Sequence, residues 1–244
     1  MGTVTDPADD PSPADPDDVT RLVVIRHAEP KAHVEGVIPG PQGDTGLSDL
    51  GVRQAEALRD RLAITNELDG VGALVTSPLP RARETAEIIA PAIGPGLDLD
   101  IDPEVEEWRF GDADGLTWDE FADRHPIPET GWHPYLHRAA GDESWAEFQV
   151  RAQRRLHELT IEHRDTTVVV VCHGGVIGAS MVSMAGLGHF GGGVWLRPDY
   201  VSLTEWSLRS RDAARFGLPK WHLVRFNDSA HTNGLDTGVI HPLP

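Results

Sequence analysis

The segment Thr167-Val-Val-Val-Val-Cys172, halted by His173-Gly174-Gly175, constrains the fold more than any other stretch of this chain. A run so short, apolar and β-branched reads as a strand covered on both faces, which calls for helices above and below a sheet. Residues 20–26 and 72–76 repeat the pattern. Between these two runs, Ser48 is placed to cap a helix whose apolar positions Val52, Ala55, Leu58 and Leu62 recur at three- and four-residue steps. Ser77-Pro78-Leu79-Pro80 must turn, and a second helix is expected over 81–90. A long helix over about 144–163 precedes the 167–172 strand, and another over 176–185 follows it. Two alternating runs, 200–208 and 221–226, finish the sheet. This order predicts a three-layer α/β/α sandwich around a mostly parallel central sheet.

Charge narrows the function. Among 244 residues, 21 Lys and Arg stand against 39 Asp and Glu, a net of −18 that repels nucleic acid and anionic membrane over most of the surface. No run approaches the roughly 20 apolar residues a membrane span needs, the first twenty residues lack the features of a signal peptide, and Cys172 is the only cysteine. A soluble, cytoplasmic protein is expected. Residues 1–18, rich in Asp and Pro, read as a disordered acidic tail, leaving one domain over 19–244. Within it, 107–148 holds four of the seven Trp, at 108, 118, 132 and 145. That stretch reads as an insertion, either a pocket wall or a satellite cluster beneath a long loop.

In open α/β sheets ligands bind beyond the carboxyl ends of the strands, so the strand exits carry the information. Arg26 and His27 stand at the first, Arg81 one turn past the second, and His173 at the late central strand. Guanidinium forks suit the tetrahedral oxygens of a phosphoryl group. An imidazole held between two Arg is kept neutral by like charge and can attack phosphorus; a second His, if protonated, would offset charge on the equatorial oxygens. Rival chemistries fit poorly. Cys172 lacks the Arg of a C-x5-R loop, since Gly178 stands there, and reads as a small buried hydrophobe. Asp112 and Asp114, like Asp98, Asp100 and Asp102, follow no apolar strand and read as solvated loop carboxylates. His157 and His163 miss a common helical face, His133 and His137 lack a carboxylate partner, and Gly191-Gly192-Gly193 lacks a P-loop Lys, so no metal or nucleotide site is expected.

Four ordered blocks bear a family resemblance. Arg26-His27-Ala28-Glu29 resembles the RHG signature of the histidine phosphatases, the phosphoglycerate-mutase-like superfamily. The segment from Ser77 to Ala86 is similar to its SPLxRAxxTA block, that from Thr45 to Ala55 to its L-S/T-xx-G-xx-QA block, and Cys172-His173-Gly174-Gly175 to its distal HGG. The resemblance implies the phosphoglycerate-mutase-like fold and a metal-independent phosphatase that needs no cofactor and hydrolyses a small phosphomonoester through a phosphohistidine. His27 would be the nucleophile, with Arg26, Arg81 and His173 lining the phosphate pocket. Glu107, in the E-xxx-G pattern ending at Gly111, would be the proton donor. His33 falls where many members carry a phosphate-touching Asn, which makes it a candidate for the pocket. Ala28 replaces the usual Gly and Pro30 the usual Thr or Ser, departures that bear on substrate preference. A mutase-type phosphotransferase and a non-catalytic binder of a phosphorylated ligand are the alternatives; the acidic 107–148 segment lacks the extra basic groups a mutase needs.

Overall fold

The computed structural model describes residues 19–94, 96–187, 196–210, 212 and 220–235; the expected tail at 1–18 and the glycines at 191–193 lie outside them. Strands β1 (Val19–Arg26), β2 (Val71–Thr76), β3 (Leu99–Ile101), β4 (Thr167–Cys172), β5 (Leu203–Arg209) and β6 (Trp221–Asp228) form one sheet in the order β3-β2-β4-β1-β5-β6. The first four in that order run parallel, and β5 and β6 add antiparallel pairings. All six residues of β4 are buried. Because side chains alternate across a strand, Val168, Val170 and Cys172 enter one core while Val169 and Val171 enter the other.

Helices α2 (Asp49–Thr65) and α3 (Pro80–Ile93) cover one face, packing Leu58, Leu62 and Ile89 against Val23, Val169 and Val171. Helices α5 (Trp145–Glu162) and α6 (Gly174–Met184) cover the other, packing Phe148, Leu156 and Val176 against Leu22, Val168 and Val170. Each fully buried Val, Leu or Phe contributes roughly 1.5–3 kcal/mol. The architecture is the three-layer sandwich that the apolar runs call for. Ser48 caps α2 by accepting from the Gly51 N–H at 3.0 Å, and Ser144 with Glu147 forms a capping box at the start of α5.

Local departures have physical causes. The short helices α1 (Lys31–Glu35) and α4 (Trp118–Arg124) show too few turns for periodicity to reveal them. The Asp98-to-Asp102 stretch is not all loop: Leu99–Ile101 forms the edge strand β3, whose largely exposed residues give no apolar signature. The late strand begins at Leu203 instead of residue 200, since Tyr200 and Val201 turn back over the end of β1 through the Val201 N–H, 3.1 Å from the Arg26 carbonyl. Helix α6 starts two residues early, at Gly174. The Trp-rich 107–148 segment divides: Trp118 joins Ile38, Phe110, Ala113 and Phe121 in a satellite cluster, Trp108 and Trp145 pack on the main core, and Trp132 is 45% exposed. Among the described residues no helix is long and apolar enough to cross a membrane.

Candidate active site

Parallel pairing aligns the strand exits. Arg26 pairs with Cys172 and Thr76 with Val171, so His27, Ser77 and His173 emerge together at one edge of the sheet. His27 is buried, and its Nδ1 lies 2.7 Å from the carbonyl oxygen of Ala28. A carbonyl can only accept, so Nδ1 carries the proton and a neutral ring keeps the lone pair on Nε2. Burial, followed by the guanidiniums of Arg81 and Arg26, holds His27 well below the ordinary imidazole range. The neutral ring is therefore the favoured form.

His173 is fully buried, its ring centre 5.2 Å from that of His27, and neither of its nitrogens has a hydrogen-bond partner among the described residues. The sequence reading allowed this ring to enter protonated. Burial, then Arg81 and Arg26, push it well below the ordinary range as well, which favours the neutral ring.

The two arginines are braced alike. Arg81 is buried and spends Nη1 on the Pro39 carbonyl at 2.6 Å and the Asp44 carboxylate at 2.8 Å, while its buried Nε has no partner among the described residues. Arg26 spends Nη1 on the Pro198 carbonyl at 2.6 Å, lies 4.3 Å over the ring of Tyr200, and likewise keeps a buried, unpartnered Nε. Glu107 is fixed by both oxygens, Oε1 accepting from the Trp108 N–H at 3.0 Å and Oε2 from the Gly175 N–H at 2.9 Å in the first turn of α6. His33, on α1, places Nδ1 2.7 Å from the Tyr200 hydroxyl, with its ring centre 5.9 Å from that of His27. All six residues singled out from sequence thus gather at one end of the sheet.

Two contributors were missed. Asp44 forms a fully buried ion pair with Arg81 and also accepts from the Gly46 N–H at 3.0 Å. It sits in a Gly- and Pro-rich loop where nothing local marks an acid as buried. Tyr200 lies 167 residues from its partner His33, and the only hint was a lone aromatic before a strand. The next residue, Val201, is fully buried at φ +52°, a left-handed conformation that costs a β-branched residue about 1–3 kcal/mol and persists only where surroundings impose it.

The rival motifs serve structure. The Cys172 thiol is fully buried and pushed up by burial, so no thiolate forms. Asp114 is no solvated carboxylate: it holds the backbone N–H groups of Gln42 and Gly43 at 2.7 and 2.9 Å. His137 pairs with Asp142, and His157 with Ser183. Among the described residues no group of three His, Cys, Asp or Glu is placed to hold a metal.

A family model for the histidine phosphatase superfamily (branch 1) matches residues 22–217. A glucosyl-3-phosphoglycerate phosphatase of Mycolicibacterium vanbaalenii is 31% identical over 228 residues, covering 87% of this chain and 96% of that one. A metal-independent phosphoserine phosphatase of Arabidopsis thaliana is 30% identical over 165 residues, covering 66% and 67%. Other mycobacterial relatives are longer, and the chain spans 41% of their length. The solved structure of a mycobacterial glucosyl-3-phosphoglycerate phosphatase with VO3 superimposes with a TM-score of 0.64 at 26% identity, covering 85% of this chain and 99% of that one.

Proposed function

The chain belongs to the histidine phosphatase superfamily, branch 1, and is a phosphatase of that type; we propose that it hydrolyses a small phosphomonoester in two steps through a phosphohistidine on His27. The observation that carries this reading is the set of buried nitrogens without partners among the described residues, Arg26 Nε, Arg81 Nε and both nitrogens of His173, beside His27, whose Nδ1–H is already committed. Donors left unmade in a buried site cost free energy unless a bound group satisfies them, and a phosphoryl group offers the matching oxygens.

In the first step His27 Nε2 attacks phosphorus in line, the bond to the ester oxygen breaks, and Glu107 delivers a proton to the departing alcohol. Arg26, Arg81, His173 and His33 hold the equatorial oxygens, stabilising charge that grows in the transition state. In the second step Glu107 takes a proton from water, water attacks phosphorus, and the phosphorus–nitrogen bond breaks to release inorganic phosphate. No metal or cofactor enters this scheme. The catalytic unit is taken as 19–244 with the 107–148 insertion supplying Glu107, and the reaction is placed in the cytoplasm on the strength of the acidic composition and the lone cysteine.

Phosphate release from a panel of small phosphomonoesters, with chelator present, tests the reading. The parent should turn over, and His27→Ala should fall by about 10³-fold or more. Full activity in that variant would remove His27 as nucleophile. On 3-phosphoglycerate the expected product is inorganic phosphate; 2-phosphoglycerate would instead mark a mutase.

A further inference from the structure

Tyr200 is held over the candidate site by an unusual amount of structure. Its loop takes Arg26 Nη1 on the Pro198 carbonyl and returns the Val201 N–H to the Arg26 carbonyl, with Val201 left-handed. The preceding Asp199 is clamped from β6, its N–H donating to Asn227 Oδ1 at 2.6 Å and its Oδ2 accepting from Asn227 Nδ2 and Ser229 Oγ. What this scaffold delivers is a phenol with Arg26 stacked 4.3 Å from its ring centre and its hydroxyl 2.7 Å from His33 Nδ1.

We propose that Tyr200 is a positioning residue: its hydroxyl donates to His33 Nδ1, which places the ring's single proton on Nε2 and makes His33 a hydrogen-bond donor to the phosphoryl group held beside His27. The inference rests on the phosphoryl-site reading above. The direction of the bond follows from charge. A cation stacked on a phenol draws electron density from the oxygen, which strengthens O–H as a donor and weakens the oxygen as an acceptor. Burial keeps the phenol protonated, with its pKa above the ordinary value. With Nδ1 accepting, a neutral His33 must carry its proton on Nε2, the mirror image of His27, whose Nδ1–H is tied to Ala28. The two rings then do opposite work: His27 offers a lone pair and His33 offers a proton. In the reverse arrangement a bare His33 Nε2 would repel phosphoryl oxygens.

Nitrogen NMR of the full chain labelled with 15N-histidine reads the proton directly, with the His33 signal assigned by its disappearance in His33→Asn. The parent should show Nε2 protonated and Nδ1 bare, and Tyr200→Phe, which keeps the ring beneath Arg26, should shift the signal toward a mixture of tautomers. Binding of inorganic phosphate should weaken by about tenfold in His33→Ala and by roughly threefold in Tyr200→Phe, the sizes expected for a hydrogen bond to a charged group and for a net neutral one. A proton on Nδ1 in the parent, or unchanged phosphate affinity in both variants, overturns the proposal while leaving the phosphatase reading intact. A parent that binds no phosphate removes the phosphoryl site and this inference with it.

Discussion

At the residue scale the site divides its titratable groups by what each is tied to. His27 and His173 share burial and the same two guanidiniums, yet only His27 has Nδ1 committed to a carbonyl, so its Nε2 is the nitrogen with a fixed lone pair. The Glu107 carboxylate is held by two backbone N–H groups, those of Trp108 and Gly175. Its proposed task is proton delivery, and that task matters only when the leaving oxygen needs a proton. Glu107→Gln keeps an acceptor for one of those N–H groups, sets its NH2 against the other, and loses the acid, so kcat on an alkyl phosphomonoester should fall by about 10²–10⁴-fold. An aryl phosphate, whose phenol departs readily as an anion, should lose far less in its first step. Burst and steady-state rates on both substrates check this, and equal losses on the two would make Glu107 a structural residue.

At the element scale α6 is the part that joins fold to chemistry. Its first turn follows β4 directly, and a Cβ at Gly175 would lie 2.1 Å from Glu107 Oε1 and 2.8 Å from Phe148 Cζ. The close approach of carboxylate to backbone is the reason for glycine there, since helix propensity alone favours Ala by up to about 1 kcal/mol. Gly175→Ala should therefore move Glu107 aside and lower kcat by about 10²-fold, the smaller end of a general acid's contribution, and the clash with buried Phe148 should lower stability by about 1–3 kcal/mol. Parallel melting curves and rates measure the two effects; unchanged kcat would mean that the carboxylate position is not critical. The same turn shows where sequence reading stops. The strand exits were legible because buried parallel strands leave continuous apolar runs, and each ends at a polar residue that has nowhere to go but the site. The start of α6 at Gly174 was not, because two glycines look like a break, and the acceptor for the Gly175 N–H is the distant Glu107. Strand β3, with Asp on either side of each apolar residue, and the antiparallel sense of β5 and β6 were hidden for a similar reason: edge position and direction are set by tertiary packing. Asp44 and Tyr200 were beyond reach because their partners Arg81 and His33 are 37 and 167 residues away.

At the scale of the whole molecule, a chain of net charge −18 holds buried and half-buried imidazoles below their ordinary range. His27 and His173 are two, and His231 is a third, lowered to about 4 by burial and then by Arg61. Arg61 itself belongs to an ion-pair network with Glu67 and Asp228 that pins α2 to the end of β6. The sign of the pH effect follows from linkage. In the unfolded chain a histidine takes its proton near the ordinary 6.5, while folded His231 resists until about 4, so between those values the unfolded state binds more protons and stability falls as pH falls. The carboxylates add to the loss lower down: Asp228, held low first by its hydrogen bond from Arg61, contributes stability that is present above the ordinary 3.8 and goes as the pH drops below it. Thermal melts taken from about pH 6.5 to 4 should therefore show a steady decline that precedes the main carboxylate loss. His231→Asn should flatten that slope without touching the catalytic cluster, leaving the share due to His27, His173 and His157, all lowered first by burial. A melting temperature that stays level across this window in the parent would mean that the buried rings accept protons in the folded state, and the neutral nucleophile would lose its physical basis.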